Sequence, residues 1–395
     1  NDLVIDAGTQ SVFFNEDIGA GTDGQLGQLI VEQADAAVVF GQAAADDDGL
    51  MPAVDGGVVN QVVLIGDLGT TATGDTNAQA SEDLDIGQLS IVTSIVLNGG
   101  DNNSRDVTGN LTDDTLTITT NADDVRFNGA VTLSSDVRID TDGTFSATVG
   151  TAASGTNTFT LDDASGLVVG DRVRIGSATT GELHTVAAID FVTNTLTLRD
   201  VLANTQTGNP LLLAGADVLF SNDTSIDSAA DAGVSEGNDL VIDAGTQSVF
   251  FNEDIGAAGN SELGRLIVEE ADGLNDAGVA SGGVIFGQAA ADDDGSSPTN
   301  DGGVVNTVNL IGDTGTGADA TDDLNLGSVD TIGVGFDTGN TRNAAGIVLN
   351  GGDANSRDAD STLAGVDNSD DDTLTINTTS DDVRFNGHVL LGSDV

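Results

Sequence analysis

The twenty residues "NDLVIDAGTQSVFFNEDIGA" fill positions 1–20 and return letter for letter at 238–257. A copy this faithful restricts the chain to architectures in which one unit can be laid upon another. The likeness runs further: "FGQAAADDDG" stands at 40–49 and 286–295, "DGGVVN" at 55–60 and 301–306. "IVLNGGD" stands at 95–101 and 347–353, and "DDVRFNG" at 123–129 and 381–387. Block one therefore runs from 1 to about 137 and block two from 238 to 395. Residues 138–237 occur once. Block two is longer by insertions such as "GLNDAGVASG" at 273–282, which fall in polar stretches.

Each block has a shorter rhythm. A β-branched residue, any residue, a large apolar residue and then Asn, Gly or Ser recur as a marker. Examples are Val12-Phe13-Phe14-Asn15, Val38-Val39-Phe40-Gly41 and Val125-Arg126-Phe127-Asn128. The apolar markers of block one stand at 14, 40, 65, 97 and 127; those of block two are Phe251, Phe286, Ile311, Leu349 and Phe385. A second strand-like run precedes most of them, as in "LVID" at 3–6 and "TLTIT" at 115–119. Strands turn alternate side chains inward, and small residues after each marker let the chain take a corner. The pattern predicts an all-β protein, a parallel β-helix (β-solenoid) of about five coils per block. An interior column is expected of Phe14, Phe40 and Phe127, and another of Phe251, Phe286 and Phe385.

The unique segment reads differently. "GTNTFTLDDASGLVVGDRVRIGSATTGELHTVAAIDFVTNTLTLRDV" offers short strands separated by tight turns. A small antiparallel β-barrel or sandwich is expected there. The domain division is then 1–144 for solenoid block one, 145–213 for the inserted domain, and 214–395 for block two, whose repeat begins at 238.

Charge narrows the partners. The chain holds 65 acidic and 10 basic residues, a formal charge of −55, and every basic residue is Arg. Phosphate contacts need clustered basic residues, so no nucleic-acid binding is expected. Nor is membrane insertion, because no apolar run is long enough to span. Acidic side chains stacked about 4.8 Å apart repel by roughly 0.9 kcal/mol per pair in water. Screening at ~0.5 M salt, where the Debye length is about 4 Å, suits such a chain to saline, marine or halophilic surroundings.

"DDVRFNGAVTLSSDVRIDTDG" (123–143) and "NDLVIDAGTQSVFFNEDIGA" resemble the coils of filamentous-haemagglutinin-like large repetitive exoproteins, giant β-helical cell-surface adhesins. The resemblance covers both blocks, and the coils here are longer and less even than that family's. It implies a right-handed parallel β-helix and an extracellular or cell-surface fibre or adhesin, and it carries over no catalytic residue.

Three classes of function bear on the chemistry of this chain. Glycan-cleaving β-helices need carboxylates in a cleft, usually with aromatic platforms. This chain has neither Trp nor Tyr, and its two histidines, His184 and His388, do not belong to a repeated site. No enzyme is expected, although a tail-spike-like or polysaccharide-lyase-like glycan-binding or glycan-cleaving β-helix stands as the alternative. Calcium is the candidate cofactor, because hard cations take oxygen ligands from acidic turns. The repeated turns offer Asp46, Asp47 and Asp48 with Asp292, Asp293 and Asp294, and Asp101 and Asp106 with Asp353 and Asp358. A calcium-dependent binding module is the third reading. The leading one is a structural fibre, filament or adhesin whose partners are copies of itself, end to end or laterally, and cell or surface receptors.

Overall fold

The computed structural model describes residues 2–20, 26–41, 59–64, 82–99, 115–142, 145–167, 169, 171–176, 182–221, 225–229, 237–257, 261–271, 283–287, 305–311, 322–328, 346–349, 373–379, 382–391 and 395. These residues form strands and turns with no helix among them. The chain is a parallel β-helix with three faces. The first face stacks Leu3–Gly8, Leu29–Ala34, Glu82–Ile86, the start of Asp124–Leu133, Val218–Ser221, Val249–Phe251, Val284–Phe286, Ile347–Leu349 and Val389–Leu391. The second stacks Val12–Phe14, Val38–Phe40, Val92–Leu97, the end of Asp124–Leu133, Ser225–Ser228, Asp254–Ile255, Thr307–Asn309 and Thr375–Asn377. The third begins with Ile18 bridged to Val62 and continues through Gln61–Val63, Thr115–Thr119, Asp136–Asp140, Leu240–Asp243, Leu266–Val268, Asp322–Leu326 and Asp382–Phe385.

Every pairing within these faces is parallel, because each strand meets its counterpart one coil later. Alternate residues point inward, and the interior is a continuous apolar core from Val12 to Leu374. On the first face Phe127, Phe220, Phe251 and Phe286 stack in sequence, with ring centroids 5.3, 5.5 and 5.0 Å apart. Phe14 and Phe40 stack at 4.9 Å on the second face. The expected columns are thus corrected. Phe127 does not continue the Phe14–Phe40 stack, which passes instead to Leu97 and Leu133. Phe385 lies beside Leu326 on the third face. Among the described residues block one makes four coils before the chain leaves the solenoid, not five.

The two blocks do not occupy the same faces. Leu3–Gly8 lies on the first face, but its copy Leu240–Asp243 lies on the third. Val12–Phe14 lies on the second, and its copy Val249–Phe251 on the first. Local partners are nonetheless preserved. Leu3 meets Leu29 as Leu240 meets Leu266; Val38 meets Ile95 as Val284 meets Ile347; Leu84 meets Val125 as Leu324 meets Val383. The same corner sequence therefore builds different corners. Gly8 has φ 58° and its copy Gly245 φ 55°; Gly41 and its copy Gly287 have 68° and 70°. At Gly41 a Cβ would meet the Asn98 carbonyl oxygen at 1.9 Å, so only glycine fits.

Polar side chains tie coil to coil. Asn98 donates its side-chain N–H to the Gly41 carbonyl at 2.6 Å, Asn128 to Gly87 at 2.7 Å, and Asn386 to Gly327 at 3.0 Å. This explains the Asn or Gly that closes a marker. Aspartates accept backbone N–H groups of the next coil. Asp17 takes those of Asn60 and Gln61 at 2.7 and 3.2 Å, and its copy Asp254 takes those of Asn306 and Thr307 at 2.6 and 3.0 Å. Charge-assisted bonds of this kind hold strand starts that the ladder leaves open.

Candidate functional site at the seam of the inserted domain

The chain leaves the solenoid after Asp136–Asp140 on the third face and re-enters at Val218–Ser221 on the first, the next position in the winding. Between these points lies a six-stranded antiparallel sheet in the order Ser146–Thr148, Pro210–Leu213, Arg172–Ile175, Glu182–Asp190, Thr195–Leu198 and Thr158–Thr160. The bridge between Val149 and Leu161 brings its two edges together. It has its own apolar core, in which Phe159, Val173, Val186, Leu196 and Leu211 are buried, and Ala122 of the solenoid corner joins that core.

Corner segments of successive coils meet the domain along one seam. Thr141 is the hub: its hydroxyl accepts the Ala216 N–H and donates to the Ala216 carbonyl, both at 2.9 Å, and its N–H donates to Asp243 O at 2.9 Å. Ala122 N–H donates to Thr141 O at 2.9 Å. Thr246 N–H and hydroxyl both donate to Ala214 O. Arg174 of the inserted domain reaches Glu270 of the solenoid at 2.7 Å, and Arg138 pairs with Glu269 at 2.7 Å and Asp140 at 3.8 Å.

This seam gathers carboxylates that the linear sequence scatters: Asp140, Asp142, Asp243, Glu269 and Glu270. Burial pushes Asp142 up to about 9, helped by the Asp243 charge and by a hydrogen bond with Asp140. Burial likewise raises Asp243 to about 7; the Gly245 N–H opposes the rise, and Glu270, Asp140 and Glu269 add to it. Asp124 at the same corner is raised by burial and then by Asp217. Near neutral pH Asp142 is therefore a protonated acid hydrogen-bonded to Asp140, one proton doing between two carboxyls what a cation would otherwise do.

A second polar cluster lies inside the inserted domain. Glu182 accepts the backbone N–H of Ala203 at 2.5 Å and of Asn204 at 2.7 Å, and a side-chain N–H of Gln206 at 3.0 Å. His184 Nε2 stands 3.2 Å from Glu182 Oε2, and the His184 side chain is 7% exposed. Burial works against the Glu182 charge, but hydrogen bonds from the Ala203 and Asn204 amides, Gln206 and His184 together hold this carboxyl below its ordinary range. The pair fastens the 203–206 turn to a strand.

The candidate calcium ligands Asp46, Asp47, Asp48, Asp101, Asp106, Asp292, Asp293, Asp294, Asp353 and Asp358 all lie outside the described residues. Among the described residues no group of three or more acidic or histidine side chains is arranged to hold a metal. Sequence reasoning missed the seam carboxylates. "DTD" at 140–142 and "EE" at 269–270 look like any other acidic turn until the third face is known to stack them.

No family model and no curated protein matches the chain. Among solved structures, the crystal structure of the tailspike protein gp49 from Pseudomonas phage LKA1 is similar over 44% of this chain and 32% of that one, at 16% identity and a TM-score of 0.22. The chain thus spans about a third of that protein's length, and a likeness this loose carries no argument about function.

Proposed function

We propose that this chain is a structural unit of a repetitive β-helical surface fibre or adhesin, extracellular and without catalytic activity, in which the solenoid supplies length and the inserted domain a projecting head. The supporting observation is the preservation of axial partners between the blocks. Leu3 on Leu29 and Leu240 on Leu266 are the same contact at different heights. A sequence whose coils accept the same neighbours twice is suited to extension by repetition. Copies of the chain, end to end or laterally, are the partners this reading requires, with cell or surface receptors for the head. Electron micrographs of the native material test it: continuous filaments are expected, and discrete compact particles would overturn it. Calcium enters as a proposal for the repeated acidic turns. Millimolar calcium should raise the melting temperature where sodium of equal ionic strength does not.

A further inference from the structure

The chain does not return to the same face after one repeat. From Leu3–Gly8 the winding passes the first, second and third faces in turn: Val12–Phe14, Ile18, Leu29–Ala34, Val38–Phe40, Gln61–Val63, Glu82–Ile86, Val92–Leu97, Thr115–Thr119, the two halves of Asp124–Leu133, Asp136–Asp140, Val218–Ser221 and Ser225–Ser228. Counting Leu3–Gly8 itself, these are fourteen strand positions among the described residues, four full coils and two positions more, before the copy Leu240–Asp243 begins. Block two repeats the first eleven of these positions, from Leu240–Asp243 to Val389–Leu391. Val395 is the sequence counterpart of Val137 and follows the first-face strand Val389–Leu391, so its turn in the winding falls on the second face, whereas Val137 stands on the third. The corners tolerate this because equivalent glycines keep their φ wherever they fall, 58° and 55° at Gly8 and Gly245, 90° and 96° at Gly87 and Gly327.

We infer that successive repeats display their inserted domains on successive flanks of the solenoid, each two thirds of a turn and about 22 Å beyond the last, so that three repeats place a head on every flank. This deepens the reading of the chain as a fibre unit and rests on it for its biological meaning. Heads set around an axis offer a surface three directions of attachment; heads in one row offer a single edge. Multivalent binding to a flat surface then engages only one head in three, while binding to a surrounding mesh engages all. The inserted domain carries its exposed apolar tip, Phe191 and Val192, on the turn after Glu182–Asp190, held by Asp190, whose carboxylate accepts the Val192 and Thr193 N–H groups at 2.9 and 3.3 Å.

The phase can be read on the 395-residue chain extended by a second copy of residues 138–395, whose junction after Val395 repeats the native one after Val137. Val192→Cys in both inserted domains supplies two labels in a chain that otherwise has no cysteine. Electron cryomicroscopy should show heads at two corners, and the label-to-label distance should far exceed the axial rise. Heads on one flank, with labels about 22 Å apart, would overturn the inference. The unextended chain gives an independent check. Arg138 and Val241 are axial partners on the third face, so Arg138→Cys with Val241→Cys should form a disulfide on oxidation. Failure of that pair to oxidise would also overturn the phase. Neither measurement depends on the native material forming filaments, so the failure of the fibre reading and the failure of the phase are separate results.

Discussion

Residues 1–20 and 238–257 are the same sequence in two settings. In the first copy Leu3–Gly8 and Val12–Phe14 have a described strand on one side only, and Val4 and Phe13 are 50% and 45% exposed. In the second copy the strands are sandwiched between coils, Phe250 is 8% exposed and Phe251 is fully buried. Identical propensity, identical alternation and near-identical glycine angles thus coexist with opposite burial. Burial in a solenoid is a property of the stack and not of the strand. The stabilisation that a side chain provides is therefore set by how many coils lie above and below it.

Paired substitutions at matching positions test this, and the widest gap is expected at the aromatic ladder. Phe251→Ala removes a ring stacked on both sides and should cost about 3–5 kcal/mol in chemical denaturation of the 395-residue chain. Phe14→Ala, with one stacked neighbour, should cost about 1–2 kcal/mol. Equal losses would break the comparison.

Asp254→Ala and Asp17→Ala come next, at about 1–3 kcal/mol, because each leaves two backbone N–H groups of the following coil without their carboxylate. Here the two copies should agree to within a few tenths, since both have the following coil in place. Amide hydrogen exchange should show the loss localised to Asn306 and Thr307 in one variant and to Asn60 and Gln61 in the other.

Gly245→Ala and Gly8→Ala should each lose about 1–2 kcal/mol to the left-handed backbone. The Gly245 variant should lose more, because its new methyl meets Ala214 O at 2.9 Å and the Asp142 side chain at 3.0 Å, whereas nothing lies within 4 Å at Gly8. Equal melting temperatures for the two variants would show that the seam yields freely.

A pH slope arises at the seam where the second copy meets the inserted domain. Asp142 and Asp243 titrate at about 9 and about 7, far above an unfolded aspartate. The folded chain therefore holds protons that the unfolded chain releases, and stability falls as pH rises. The contribution is complete below about pH 4 and is lost as pH climbs through 7 and then 9. Facing groups are Asp140, Glu269 and Glu270 on the acidic side and Arg138 and Arg174 on the basic side. Asp142→Asn, which keeps the shape without the charge, should flatten the slope between pH 5 and 9 in thermal melts. A slope unchanged by this variant would place the titrating groups elsewhere.

Much of this fold is legible in the sequence, and the limits of that legibility have physical causes. The markers locate inward strands because alternation and a small corner residue are local requirements, met by Val38–Phe40 before Gly41 and by Val125–Phe127 before Asn128. Which face a marker lies on is not local. It depends on counting every strand position, including one built from Ile18 through a single bridge, and on long polar stretches that put two markers in one coil. Phe127, expected beside Phe14 and Phe40, stands for that reason on another face. The seam was illegible for the same cause: Asp140 and Glu270 are brought near only by the stacking of the third face. So was the pairing of Asp85 with Arg126 at 3.7 Å, both side chains almost wholly buried. Its counterpart in block two sets Asn325 opposite the exposed Arg384, so the copy gives no hint of an ion pair.

The inserted domain's point of exit has a mechanical meaning. Ladder hydrogen bonds in a solenoid run along the axis, so a pull on the two ends loads them lengthwise and peels coils one after another from a free end. The excursion from Asp140 to Val218 joins adjacent strand positions and stays outside the path of tension while its own coil holds. When that coil peels, the seam through Thr141 and Glu270 opens with it, and some 75 residues of hidden length pay out, about 250 Å if fully drawn. A single-molecule stretching trace of this chain should then show a staircase of short extensions interrupted by one long one: a fuse built into a rope, yielding length before the remaining coils give way.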